Sequence, residues 1–266
     1  MQRARGCLAV AVKLREGRTV LERFRQEGCL KARLPRAAVG GWTELVTLNS
    51  SGGIAQGDVL ETAVHAGEGT ALTVASQAAE RYYRSPGGAA AAVRTGLAVA
   101  AGAALEWLPQ ETILFDGCAV DRRLEVDVAP GGWFVGVETL VFGRAAMGER
   151  LQSVQWRDGI AVRRAGRLVW QDVVRLEGVG QALLDRPAVA AGGRAVATLV
   201  HVAAGAAAAV DGVRAALAGC DAGVSAFEDL LVARIVAADG ACARAAIMAG
   251  LAALRAGRPL PRVWSC

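Results

Sequence analysis

The sequence predicts a mainly β fold, layered or stacked β-sheets with two α-helices in the C-terminal quarter, and three observations carry that prediction. Glycine breaks recur at Gly40-Gly41, Gly52-Gly53, Gly87-Gly88, Gly131-Gly132 and Gly192-Gly193. The segments between them hold one or two short strands each, which suits layered antiparallel sheet rather than βαβ units. Leu124-Glu-Val-Asp-Val128 alternates strictly, with Leu124, Val126 and Val128 on one face and the acids on the other. The last quarter then changes to Ala-rich stretches with helical spacing.

In chain order, residues 8–200 read as β-rich and turn-punctuated. The segment 133–142, WFVGVETLVF, is apolar on both faces, as a strand covered on both sides would be. Residues 206–218 and 240–256 read as helices, separated by an apolar strand over 230–236. In the second helix Ile247, Leu251 and Leu254 form a stripe, while Arg244 and Arg255 share a flank. Residues 257–266 form an extended tail. No long linker or low-complexity break interrupts the 266 residues, so a single domain over 1–266 is expected.

Composition narrows the function classes. Apolar residues make up 53% and the mean hydropathy is +0.33, yet the longest nearly apolar stretch, 195–210, contains His201 and is too short to span a bilayer. The N-terminal apolar segment is brief and lacks a small-residue cleavage region, so a signal peptide is rejected and a cytoplasmic location is expected. Of the 30 basic residues only Lys13 and Lys31 are lysines, and the arginines are scattered without a recognition motif, which argues against nucleic-acid binding. The six cysteines form no CxxC pair and none sits at ligand spacing from His65 or His201, so no structural zinc site is expected.

Residues 49–58, NSSGGIAQGD, look like a phosphate cradle but lack the lysine and hydroxyl of a P-loop, and end in Asp58. They do not fit a dinucleotide fingerprint either. Two readings stand: a strand-to-strand turn with a glycine at positive φ, or direct ligand contact. Conventional catalytic patterns are weak, with two histidines in strand-like segments and neither a GxSxG elbow nor an HExxH.

Acids inside apolar strands are the most suggestive chemistry. Glu138 shares a face with Phe134, Leu140 and Phe142, and Glu106 and Glu111 repeat the anomaly in LEWLPQETILF, 105–115. A buried carboxylate needs an arginine, hydrogen bonds, a raised pKa or a metal. The ordinary reading is an arginine-paired structural acid; the sharper one is a polar path through the core.

Taken in order, several segments resemble the urease accessory protein UreD family, called UreH in some organisms. They are GCLKARLP at 28–35, NSSGGIAQGD at 49–58, QAAERYYRS at 77–85, LEWLPQETILFDG at 105–117, FGRAAMGE at 142–149 and PRVW at 261–264. Cys29 departs from the pattern, which commonly has proline after that glycine. The resemblance implies a β-helix-like or sandwich-like stack of sheets with two helices, and a non-enzymatic chaperone of urease maturation. Such a subunit would bind apo-urease and, with UreF and the GTPase UreG, help deliver nickel, with no tightly bound cofactor and Ni²⁺ only in transit. Asp58, Glu106, Glu138 and Glu149 are then expected along a nickel route, since oxygen ligands hold a passing divalent ion weakly. Arg244, Arg255, Arg262 and Trp264 are expected to dock UreF, or, for Trp264, to close the chain's own core. The alternatives are a β-rich binding or scaffold module without a metal role, and a hydrolase with an unrecognised Ser/His/Asp set.

Overall fold

The computed structural model describes residues 3–35, 41–144 and 147–265. Met1, Gln2, Gly40 of the first glycine break, Ala145 and Ala146 of the 142–149 segment, and Cys266 at the end of the tail lie outside the described residues. The fold is mainly β, with two stacked sheets whose strands alternate along the chain. The first sheet holds β1 (Arg5–Arg15), β5 (Val59–Ala66), β8 (Ala91–Val99), β11 (Ala119–Val128) and β13 (Val154–Arg164) side by side. The second holds β4 (Thr43–Asn49), β6 (Ala71–Ser76), β9 (Ala104–Leu108) and β12 (Trp133–Phe142).

Within each sheet these strands run parallel, so the antiparallel layering expected for the central strands is corrected. Parallel neighbours need a crossover. Here a strand of the opposite sheet serves as that crossover, and the chain coils like a β-helix. Short strands and glycine breaks look alike in either arrangement, because the sheet joined by the next strand is a long-range outcome. Gly102, at the corner after β8, has φ 64°, a left-handed conformation in which a side chain would be strained. Gly69 and Gly131 turn the neighbouring coils with φ 66° and 76°.

Antiparallel pairing is confined to the ends. β2 (Arg18–Gly28) folds back on β1, β14 (Arg167–Gly178) on β13, and β3 (Leu30–Arg33) on β4. Beyond β12 the second sheet continues antiparallel through β15 (Ala195–Val202), β17 (Leu230–Ala237) and β16 (Asp221–Phe227). Two short strands, β7 (Glu80–Tyr82) and β10 (Thr112–Leu114), extend the second sheet beside β12.

The C-terminal quarter carries the two expected helices, α2 (Val210–Ala216) and α3 (Gly240–Leu254). A third, α1 (Gly180–Leu184), is a single short turn with no sequence signal beforehand. α3 begins where the Asp239 carboxylate accepts the Cys242 backbone N–H at 2.8 Å, a side-chain N-cap. Its Ile247 and Leu251 are buried, with Leu254 packed beside them. Among the described residues, no helix is long and apolar enough to cross a membrane.

Two apolar layers result. One fills the space between the sheets, with Leu8, Val64, Leu97 and Val126 from one side and Leu72, Leu105 and Phe134 from the other. The second lies between the outer face of the second sheet (Val135, Val137, Leu199, Ile235) and α2, α3 and Trp264. Each buried Val, Leu, Ile or Phe contributes about 1.5–3 kcal/mol, so these layers dominate stability.

Candidate functional site

The 49–58 segment is a turn tied to its own neighbours. Gly53 has φ 148°, and a Cβ there would lie 2.4 Å from the Tyr83 ring. Ile54 exchanges backbone hydrogen bonds with Arg81 and Tyr83, and the Tyr83 hydroxyl donates to the Gly52 carbonyl at 2.7 Å. Asp58 is buried, with one carboxylate oxygen accepting the Ala4 N–H and the other the Ala55 N–H, both at 2.8 Å. Its acid thereby joins the N-terminus of β1 to the turn.

Glu106 points outward from β9, opposite to Leu105 and Trp107, and is fully buried under the C-terminal tail. Arg255 meets it bidentately at 2.8 and 3.0 Å, Arg258 donates at 2.6 Å and Thr73 at 2.7 Å. Burial alone would raise this carboxyl, but the hydrogen bonds from Arg255, Thr73 and Arg258 outweigh it and hold it below the ordinary carboxylate value. Arg258 in turn lies over the Trp42 ring at 4.0 Å and near Trp133 at 5.4 Å.

The tail is strapped to the same strand. The Trp264 indole N–H donates to the Leu108 carbonyl at 3.0 Å, and Trp264 is buried. Arg244 donates to Gln110 at 2.5 Å and to the Trp264 carbonyl at 2.6 Å, pairs with Glu111, and lies over the Trp264 ring. Arg262 is exposed in the turn before Trp264 and lines the groove between strap and sheet. Glu149 sits elsewhere, clasped by the Arg144 guanidinium at 2.9 Å twice, which holds its carboxyl below the usual range.

Glu138 is different. It projects between the two sheets, as its position beside Phe134, Leu140 and Phe142 required, and meets a polar layer in an otherwise apolar interior. Its Oε2 pairs with Arg122 at 2.7 Å and its Oε1 accepts the Trp107 indole N–H at 2.8 Å. Arg122 also clasps Asp158 at 2.8 and 2.5 Å, and donates to Thr112 at 3.0 Å. Burial pushes the Glu138 carboxyl up; Arg122 counters this and Asp158 adds to it, leaving the net direction upward. Next along the layer Asp172 pairs with Arg234 across the sheets.

A cavity of about 270 Å³ opens onto this layer. Its lining runs from Asn49 and Gly52 of the turn past Glu80 and Gln110 to Thr112, Arg122 and Glu138. Glu80 accepts from the Asn49 amide at 3.3 Å, and burial pushes its carboxyl up to about 7. Glu80, Arg122 and Glu138, with the neutral Asn49 amide, thus place acidic and basic groups along one cavity.

The sequence-expected acids therefore occupy separate places: Glu138 inside, Glu106 under the strap, and Asp58 and Glu149 in turns. Among the described residues no group of three or more His, Cys, Asp or Glu could hold a metal ion. Glu80, Arg122 and Asp158 were missed, although for Arg122 and Asp158 the signal was present. Arg122 has the parity of Val120, Leu124 and Val126, and Asp158 that of Trp156 and Ile160, so alternation alone puts both inside. His201 sets its Nδ1 against the Phe134 carbonyl at 2.9 Å and its ring against Trp133, and burial lowers its pKa. A hydrolase reading would need a carboxylate there instead of a backbone carbonyl.

A sequence model described as "UreD urease accessory protein" matches residues 4–265. A protein named urease accessory protein UreD from Methylobacterium sp. (strain 4-46) is 44% identical, covering 99% of this chain and 95% of its own length. Relatives of the same name from Rhizobium leguminosarum bv. trifolii (strain WSM2304) and Agrobacterium fabrum (strain C58) are 43% and 41% identical, covering 99% of this chain and 96% and 92% of their own. With this match across nearly its whole length, the chain belongs to the UreD urease accessory protein family.

Proposed function

We propose that the protein is a cytoplasmic urease maturation chaperone, a non-enzymatic scaffold that binds apo-urease and, with UreF and the GTPase UreG, assists nickel insertion into the urease active site. Family membership supports the urease role, and the absence of a P-loop from the sequence leaves nucleotide hydrolysis to a partner. The observation that carries the nickel reading is the polar layer around Glu138, open to a cavity inside an apolar coil. Buried charge is costly, and an apolar replacement of similar volume is often as stable or more so, so stability alone does not account for this layer.

Ni²⁺ is cargo in this reading. Carboxylate, hydroxyl and water oxygens suit an ion that must leave again, whereas a thiolate and imidazole cage would trap it. Glu80 and Glu138 both line the cavity, while Asp58 and Glu149 are held in turns and Glu106 under the strap. The docking element is α3 with the strap. Arg244, Arg255 and Trp264 fix the strap from within, and its outer surface with Arg262 meets UreF.

The test is deletion of this chain from a urease-producing cell, with urease activity and nickel content measured together. The reading expects urease that assembles but carries little nickel and little activity. Fully active, metallated urease without the chain refutes it. Inactive urease with normal nickel favours a scaffold without a metal role.

A further inference from the structure

We propose that Arg122 is a positioning residue that keeps the interior carboxylates Glu138 and Asp158 from retaining a divalent cation, because its guanidinium fills the seat between them that such an ion would take. This rests on the nickel-route reading and assigns it a release device. The geometry supports it directly. Glu138 Oε2 lies 2.7 Å from one guanidinium nitrogen and both Asp158 oxygens lie 2.8 and 2.5 Å from two others. The Thr112 hydroxyl lies 3.0 Å from the same guanidinium nitrogen that meets Glu138, so oxygens line both edges of the guanidinium.

Two carboxylates and a hydroxyl from the two sheets thus surround one guanidinium, and oxygen donors of this kind are those a hard or borderline divalent ion takes. Arginine does not deprotonate in proteins, so the seat carries a fixed positive charge at every working pH. With Arg122 in place, the Glu138–Asp158 pair shows one net negative charge to an arriving cation. Without it no guanidinium offsets the two carboxylates, and an arriving divalent ion displaces the proton they come to share. A passing ion is therefore attracted into the layer but must compete with the guanidinium for each oxygen.

The neighbouring pair does not take over this role. Asp172 and Arg234 neutralise one another on the next strands. Glu138 is also fixed on its other oxygen by the Trp107 indole, so the competition concerns the oxygen that faces Arg122.

Titration of the full-length chain with Ni²⁺ alone tests this, followed by gel filtration and measurement of retained nickel. Arg122→Gln should bind nickel at least tenfold more tightly than the unaltered chain, and Arg122→Gln/Glu138→Gln should lose that gain. Arg122→Lys guards against a misfolded glutamine variant: one ammonium cannot bridge both carboxylates, so a gain of several-fold is expected. No gain in a folded Arg122→Gln or Arg122→Lys variant overturns the proposal, as does a gain that survives loss of Glu138. The two readings fail separately. Normal urease activation with Glu138→Gln removes the route itself, and Arg122's role with it. Impaired activation with Glu138→Gln, without nickel retention in the Arg122 variants, removes only the role of Arg122.

Discussion

Glu106 and Glu138 are the same residue type in neighbouring strands of one sheet, both flanked by apolar side chains, and their fates are opposite. Glu106 faces the strap and meets two arginines and a threonine, which hold its carboxyl below the ordinary range. Glu138 faces the other sheet and shares one arginine with Asp158, and burial leaves its carboxyl raised. Burial is common to both; the supply of donors differs. An acid saturated with donors is part of the frame, whereas one that shares its partner beside a cavity keeps chemistry in reserve.

The largest expected effect breaks the frame side of that contrast. Arg255→Ala strips Glu106 of its bidentate partner in a fully buried site, and should cost about 3–5 kcal/mol in urea or thermal unfolding. A loss near zero would mean that Arg258 and Thr73 suffice.

The next effect is a pH dependence of opposite sign in the two regions. Glu106, held below its ordinary value, contributes stability above the unfolded pKa of 4.5 that is lost as pH falls through the lowered value. Glu80, raised from 4.5 to about 7, works the other way. Its contribution is full below 4.5 and is lost as pH rises through about 7, by on the order of 3 kcal/mol at most. Glu80→Gln should therefore flatten the fall in stability over that window, as read by unfolding at a series of pH values. An unchanged slope would place the titration elsewhere.

The smallest stability effect belongs to Glu138→Gln, at about 1 kcal/mol in the same unfolding assay. The amide fills the same space, its one oxygen accepts from Trp107 or from Arg122 but not both, and Arg122 keeps Asp158. A loss as large as that of Arg255→Ala would make Glu138 another part of the frame.

Much of this was legible in the sequence, for local reasons. Alternation at Leu124, Val126 and Val128 gave strand and facing, and Ala-rich periodicity gave both C-terminal helices. The inward face of Glu138 followed from Phe134, Leu140 and Phe142. Strand direction was not legible, since parallel coiling depends on which sheet each successive strand joins. Nor was the difference between Glu106 and Glu138, because Arg255 reaches Glu106 from the far end of the chain and Arg122 reaches Glu138 across the two sheets. Trp264 carried two readings, and only the Leu108 carbonyl beneath it shows how it is held.

The central claim is that the interior acid, not the strapped one, serves nickel transfer. Its most direct measurement is the nickel content of urease matured in cells whose chain carries Glu138→Gln, with assembly of the maturation complex checked alongside. The account predicts an intact complex and urease with markedly less nickel and activity. An intact complex with fully metallated, fully active urease would contradict it.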